Sequence, residues 1–363
     1  MNHFDYLIVG AGFAGSVCAV ELARSGKKIF VIDKRNHIAG NAFDSEDRKI
    51  LVHHYGPHIF HTNSKFIFEY LSQFTSWHKY EHRVLAEVDG KLYPFPINVT
   101  TINQLYNLNL NELNIREYLD HVSIKGLKNK TSEDVILSSV GTDLCEKFFR
   151  GYTKKQWNLD LSELSSSVAS RVPVRLNYDD RYFTDEYQFM PLGGYTRLFE
   201  NMLDHENITI QLNTSLEDIN RIDFDRIIYT GPIDAFYHYT FGKLPYRSLR
   251  FDHEFVEKAG PIQKAASINY PNEHDYTRIT EFAHFYGKFY KEGSAIMKEY
   301  PQSEGDPYYP IPNLENECLF KKYEALTKRE KNVFFVGRLA QYRYYNMDQV
   351  VGAALALVKT LKS

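Results

Sequence analysis

Tyr6-Leu7-Ile8-Val9-Gly10-Ala11-Gly12-Phe13-Ala14-Gly15, with Lys28-Ile29-Phe30-Val31-Ile32-Asp33 further on, is the stretch whose reading decides the fold. The apolar run before Gly10 suits a strand buried on both faces. Gly10 permits a tight turn, Gly12 lets backbone approach a pyrophosphate, and Gly15 lets a helix pack close to the strand. Residues 16–24 carry Val17, Val20, Leu22 and Ala23, a packed helix that Gly26 is placed to end. Its leading N–H groups face an anion. Residues 28–32 predict a second strand, and Asp33 lies 23 positions after Gly10, where it can accept a ribose hydroxyl. Strand, glycine turn, helix, strand and acid together predict a dinucleotide site.

The loop after Asp33 is Lys34-Arg35-Asn36-His37-Ile38-Ala39-Gly40-Asn41. It is basic and holds a glycine, so it can wrap an adenine dinucleotide more fully than most NAD sites do. Near the other end, Val336-Gly337-Arg338 closes a buried strand. Residues 348–359 place Val351, Ala354, Leu355 and Val358 at helical spacing. The N-terminus of that helix suits the pyrimidine edge of a flavin. The pattern favours FAD over NAD.

The remaining composition bounds the classes of function. A chain of 363 residues predicts two or three packed units. With 43 Lys+Arg against 46 Asp+Glu the net charge is −3, which lacks the basic surplus of a nucleic-acid binder. Cys18, Cys145 and Cys318 lie far apart, which excludes a disulfide framework and predicts a reducing cytoplasm. No apolar run of about 18 residues predicts a membrane helix, and no secretory signal is expected. The 27 tyrosines, set among arginines, suit a cleft for something planar and anionic, although background composition explains them equally well.

Residues 102–108, 114–121 and 132–149 permit helical spacing, and Thr131 with Glu133 and Asp134 reads as a helix start. Residues 84–88, 91–95, 265–270, 278–282 and 294–300 alternate, which predicts an antiparallel sheet. Residues 227–229 and 333–336 read as further buried parallel strands. The two ends of the chain and a piece near residues 193–240 therefore build one domain, with the remainder inserted into it.

Four histidines crowd one segment, His53, His54, His58 and His61. No carboxylate or cysteine stands at ligand spacing beside them, so no metal is predicted. Gly56-Pro57 is a stiff turn presenting His58 to a cofactor or substrate. Arg171, Arg175, Arg247, Arg278, Arg338 and Arg343 sit among aromatics, and a pair of guanidinium groups is the usual means of holding a diphosphate. Neither a GxSxG elbow nor a Walker lysine is present.

Longer stretches carry a resemblance. They include Asp33 to His37, Tyr55-Gly56-Pro57-His58-Ile59-Phe60-His61-Thr62, Gly151-Tyr152-Thr153-Lys154-Lys155-Gln156-Trp157, Pro173-Val174-Arg175 and Tyr276-Thr277-Arg278. Lys298-Glu299-Tyr300, Pro307-Tyr308-Tyr309-Pro310 and Gly337-Arg338-Leu339 belong with them. In these the chain resembles the bacterial UDP-galactopyranose mutases.

The resemblance implies an α/β fold: a Rossmann-like FAD-binding domain with an inserted small helical domain and an antiparallel β-sheet domain. The FAD domain is expected over residues 1–80, 193–245 and 318–363, and the helical domain over 96–165. The sheet domain is expected over 81–95, 166–192 and 246–317. The implied reaction interconverts pyranose and furanose forms of a nucleotide-linked sugar, by attack of reduced-flavin N5 on the anomeric carbon. The implied partners are the nucleotide sugar and a second copy of the chain, with no nucleic acid and no membrane.

Residue by residue, the resemblance assigns Arg171 and Arg278 to the diphosphate and His58 to the flavin. It assigns Phe148, Phe149, Tyr152, Trp157 and Tyr182 to an aromatic wall for uridine and sugar. Arg247, Asn269, Glu299, Tyr309, Tyr344 and Asn346 match other cleft positions. Gly10, Gly12, Phe13, Ala14, Gly15, Asp33, Lys34, Arg35, Gly40, Asn41, Ile59, Arg338, Met347, Asp348 and Gln349 match the cofactor side. The loop carrying Arg171 is expected to close over substrate.

One stretch departs from the pattern. The family's Tyr-Tyr-Asp-Met-His-Gln reads Tyr344-Tyr345-Asn346-Met347-Asp348-Gln349 here. Asn346 hydrogen-bonds but carries no charge, which leaves UDP-N-acetylgalactosamine and TDP-fucopyranose as alternative substrates beside UDP-galactopyranose. His61 favours galactose over the N-acetyl sugar. An oxidoreductase of the amine or sugar oxidase type is the alternative class, since the same fold serves it.

Overall fold

Strand His3–Val9 buries Leu7 and Ile8 completely and stands at the centre of a parallel sheet. It pairs with Ile29–Ile32 on one side and Asp223–Tyr229 on the other. Ile208–Gln211 and Val333–Phe335 complete a five-stranded sheet, every pair of it parallel. This is the computed structural model of the chain, and it describes residues 3–219 and 222–362. Such strands need crossovers, and helix Phe13–Ala23 supplies the first. That helix is buried nearly all round, and its Cys18 reaches the Ala354 carbonyl of helix Met347–Lys362. The strand–turn–helix–strand order read from the sequence is present, with the helix starting three residues early, at Phe13.

Two compact units emerge, within the two or three that the length predicts, where the resemblance implies three domains. The first comprises residues 1–80, 185–245 and 318–363, and the second residues 81–184 and 246–317. Helical and sheet segments of the second share one core, which explains why they do not separate. Val84, Ala86, Tyr93 and Phe95 from the strands pack with Ile102, Ile115, Leu119, Ile136, Val140 and Leu144 from the helices. Residues 187–191, expected in the sheet domain, instead form strand Tyr187–Pro191 of the first unit. That strand pairs with Phe60–Thr62 and Trp77–Lys79.

The second unit's sheet has seven strands, in the order Tyr309–Pro310, Tyr246–Val256, Ser294–Gln302, Arg278–Glu281, Ser267–Asn269, Val84–Val88 and Lys91–Phe95. It is not wholly antiparallel. Ser267–Asn269 runs parallel to Val84–Ala86, because the strands belong to segments joined by a long crossover rather than a hairpin. Helix Ser132–Leu144 starts where expected, on the Thr131 hydroxyl, which accepts from the Asp134 N–H at 3.2 Å. A π-helical turn, Cys145–Arg150, leads into helix Gly151–Trp157.

Candidate functional site

In the first unit the glycine turn forms a cradle that side chains would fill. Gly10 has φ 107°, and a Cβ there would stand 2.1 Å from Thr230 Oγ1. A Cβ on Gly15 would stand 1.9 Å from the Gly10 carbonyl oxygen. Gly12 is the N-cap of helix Phe13–Ala23, and no side chain caps the helix's first turn. Leading N–H groups of that kind are the donors an anion needs. Phe13 and Ala14 are buried behind them, with the Phe13 ring 4.6 Å from that of Phe199.

Asp33, 8% exposed, accepts from the Ala11 N–H at 2.8 Å and from the Arg35 N–H at 2.9 Å. A carboxylate offers about four lone-pair sites, so capacity for ribose hydroxyls remains. The following loop docks on the glycine turn, with Ala39 donating to the Ala11 carbonyl at 2.9 Å. Gly40 comes within van der Waals reach of Gly12. Arg35 donates to Asn41 Oδ1 at 2.9 Å and lies 4.2 Å from the centre of the Tyr55 ring. Lys34 is exposed. A cradle without room for Cβ atoms, an uncapped helix start and an acid at the strand end fit a dinucleotide.

The four histidines each have protein partners. His54 meets Ser45 Oγ at 2.7 Å and His61 meets Asp185 at 3.0 Å. His53 Nδ1 accepts from the His58 backbone N–H at 3.0 Å. His58 Nδ1 lies 2.9 Å from the Gly56 carbonyl oxygen, so this nitrogen carries the proton and Nε2 is the acceptor. Burial pushes both His53 and His58 down to about 3, and for each the neighbouring histidine adds to the effect. Both are therefore neutral at physiological pH.

Ile59 is buried beside them in sequence. Arg338 donates to the Tyr345 carbonyl at 2.5 Å and lies 5.5 Å from the Tyr344 ring centre. At the start of helix Met347–Lys362, Asp348 accepts from Thr62 Oγ1 and from the Gln349 N–H, both at 2.8 Å. The Asn346 N–H donates to Gln349 Oε1 at 2.9 Å. Tyr344 and Asn346, expected on the substrate side, belong to this first unit.

The second unit gathers a cationic cluster by sheet register. Arg278 is the cross-strand partner of both Asn269 and Glu299. Its Nε donates to Asn269 Oδ1 at 3.1 Å and its Nη2 to the Tyr152 hydroxyl at 3.1 Å. Nη1 faces Glu299 Oε1 at 3.8 Å, too far for a hydrogen bond. Burial works against the charge on Arg278, but Tyr152 and Glu299 outweigh it and hold the guanidinium protonated. Glu299 is 5% exposed; burial raises its carboxyl and Arg278 lowers it in part.

Arg247 is the register partner of Tyr309. It is 4% exposed and donates to the Gln156 carbonyl at 2.8 Å, to Ser303 Oγ at 2.8 Å and to the Lys155 carbonyl at 3.3 Å. Those bonds tie down the end of the helix that carries Tyr152 and Trp157. Trp157 and Tyr309 have ring centres 6.3 Å apart.

Tyr182 acts electrostatically on the Arg278 guanidinium, whereas other expected members lie elsewhere in the unit. Phe148, 2% exposed, packs beside Tyr93 and Phe95 in the core. Phe149 joins the same core at 8% exposure. Tyr182 is half-buried, its ring centre 5.8 Å from that of His82. Arg171 is exposed, in the turn after the short helix Ser166–Ala169. Two further residues were not anticipated. Asp44 accepts from the Tyr195 and Thr196 N–H groups and caps helix Gly194–Leu203. Lys155 is surrounded by backbone carbonyls. Its place in the stretch Gly151–Trp157 was the only signal for it.

Among the described residues no helix is long and apolar enough to cross a membrane. Comparison with known proteins finds a family model described as UDP-galactopyranose mutase over residues 147–344, more than half of the chain. An NAD(P)-binding Rossmann-like domain matches residues 8–74. A probable UDP-galactopyranose mutase of Klebsiella pneumoniae is 42% identical, over 98% of this chain and 94% of its own. A dTDP-fucopyranose mutase of Escherichia coli is 38% identical, over 96% of each. A crystal structure of a reduced UDP-galactopyranose mutase aligns with TM-score 0.80 at 17% identity, over 99% of this chain and 95% of that one.

Proposed function

Because the chain belongs to the UDP-galactopyranose mutase family, we propose that it interconverts UDP-galactopyranose and UDP-galactofuranose, with reduced FAD as its cofactor. The observation that carries this reading is Arg278. It is a protonated guanidinium set among neutral hydrogen-bonding side chains, with its one carboxylate neighbour standing off at 3.8 Å. Such a group is suited to a diphosphate.

The glycine turn at Gly10, Gly12 and Gly15 and the start of helix Phe13–Ala23 hold the cofactor's pyrophosphate, and Asp33 its ribose. Arg338 and the helix start at Met347, Asp348 and Gln349 hold the ring system. Reduced flavin, when bound, supplies a nitrogen nucleophile for the anomeric carbon. His58 presents Nε2 as a neutral acceptor on that side. Arg278 binds the diphosphate and takes up the charge that develops on it as the glycosidic bond breaks. Asn269 and Tyr152 orient the guanidinium, and Arg171 adds a second positive charge. Trp157 and Tyr309 offer flat faces to the base and sugar. Asn346 can hydrogen-bond but carries no charge. The same reading makes the enzyme a cytoplasmic homodimer in galactofuranose supply.

The test is an anaerobic assay of the purified protein, before and after dithionite, with products followed by chromatography. Conversion of UDP-galactopyranose only after reduction is the expected outcome. Conversion of dTDP-fucopyranose alone would transfer the reading to the sugar named for the Escherichia coli relative. Flavin bleaching by the sugar itself would mark an oxidoreductase and overturn the proposal.

A further inference from the structure

Residues 270–277 form the turn that joins strands Ser267–Asn269 and Arg278–Glu281. One face of the neighbouring helical stretch grips this turn at three positions. The Lys147 carbonyl accepts from Asn272 Nδ2 at 3.0 Å. Gly151 gives room for close approach: a Cβ there would stand 2.5 Å from Asn272 Oδ1 and 2.6 Å from the Pro271 carbonyl oxygen. Lys155 then enters the turn itself. Its ammonium donates to the carbonyls of Tyr270, of Glu273 at 2.9 Å, of His274 at 3.2 Å and of Tyr276 at 3.1 Å. Positions 147, 151 and 155 follow one another at the four-residue interval of a helix face.

An ammonium has three donors and no acceptor, and here backbone oxygens from four residues converge on it. Burial pushes Lys155 down to about 8, with Asp275 and Glu273 opposing the shift. The bonds to Tyr270 and Tyr276 are part-buried, where carbonyls that lose their donor are costly. The turn is also stiffened by rings: His274 stacks on Tyr276 at 4.6 Å, and Tyr270 meets Tyr276 edge-on at 5.0 Å. Both ends of the turn belong to the cation cluster, Asn269 on one side and Arg278 on the other. Tyr152, three residues before Lys155 on the same helix, holds Arg278 Nη2.

We propose that Lys155 is a positioning residue whose ammonium pins the turn 270–277 to helix Gly151–Trp157 and so holds Arg278 in the orientation that receives a nucleoside diphosphate. This rests on the diphosphate role given to Arg278 above. Lys155 does not itself touch the ligand; it acts through the hairpin.

The test is a double-mutant cycle on the flavin-loaded protein, read by calorimetric UDP binding. Lys155→Met is expected to weaken UDP binding about tenfold while leaving flavin content unchanged. Lys155→Gln keeps two N–H donors without charge, is the milder change for folding, and is expected to fall between wild type and Lys155→Met. In an Arg278→Ala background the Lys155 change is expected to add almost nothing, because its effect passes through the missing guanidinium. Wild-type affinity in the Lys155 variants, or a loss that adds in full to that of Arg278→Ala, would overturn the inference. A wild-type protein that binds no UDP would overturn the diphosphate reading on which it rests.

Discussion

The dinucleotide cradle of the first unit and the Arg278 cluster of the second are built by opposite means. The cradle is made of backbone. Its parts lie within residues 6–33, and glycines matter there because nothing larger fits against Thr230 and the Gly10 carbonyl. The cluster is made of side chains. Tyr152, Asn269, Arg278 and Glu299 come from a helix and three strands; sheet register brings the last three together, and the helix adds Tyr152. A backbone site is intolerant of added atoms and relies on few side chains, here Asp33. A side-chain site tolerates small changes in shape but depends on each charge and hydrogen bond.

The largest effect that would sharpen this contrast is expected from Gly15→Val. Its Cβ would stand 1.9 Å from a backbone oxygen that cannot move aside, so the protein should lose its flavin or fail to fold. Visible absorbance of the purified variant reads this directly, and a fully loaded, yellow Gly15→Val protein would break the contrast. Arg278→Ala comes next. It should keep its flavin and lose turnover by about 100- to 1,000-fold, as one preorganised donor to a developing oxyanion is worth roughly 2.7–4 kcal/mol. Near-normal turnover would remove Arg278 from the site.

The smallest effect concerns acid. His53 and His58 are neutral in the folded first unit, with values of about 3 against an ordinary 6.5. Unfolded chain takes up those protons first, so stability falls as pH drops from 6.5 toward 3. At pH 5 the loss is up to about 2 kcal/mol per histidine. Denaturant melts at pH 7 and pH 5 measure it, and His53→Gln should flatten the difference. An unchanged slope in that variant would show that the acid sensitivity lies elsewhere.

The same contrast decides what was legible in the sequence. Strand, glycine turn, helix and Asp33 are neighbours in the chain, so spacing alone places them. Arg278 and its partners were named through resemblance, since periodicity cannot show which strands will adjoin. Strand Tyr246–Val256 went unread because Arg, Asp, His and Glu interrupt its apolar pattern, although it lies inside the sheet with neighbours on both sides. Phe148 and Phe149, expected on a binding wall, also belong to the core. An aromatic pair on a helix carries no mark that separates the two roles. The parallel pairing of Ser267–Asn269 with Val84–Ala86 was hidden likewise, because more than a hundred residues separate the strands.

The order of strands in the first unit has a consequence for how the chain is made. Strand His3–Val9 has to wait for its partner Asp223–Tyr229, which is translated more than two hundred residues later. At roughly 5–20 residues per second, that partner arrives about 10 to 45 s after the first strand. During this interval the nascent chain carries Leu7 and Ile8 on a strand with one edge open, a surface suited to chaperones. The glycine turn that is easiest to read is thus synthesised well before the sheet behind it, which waits until Val333–Phe335 emerges to be complete.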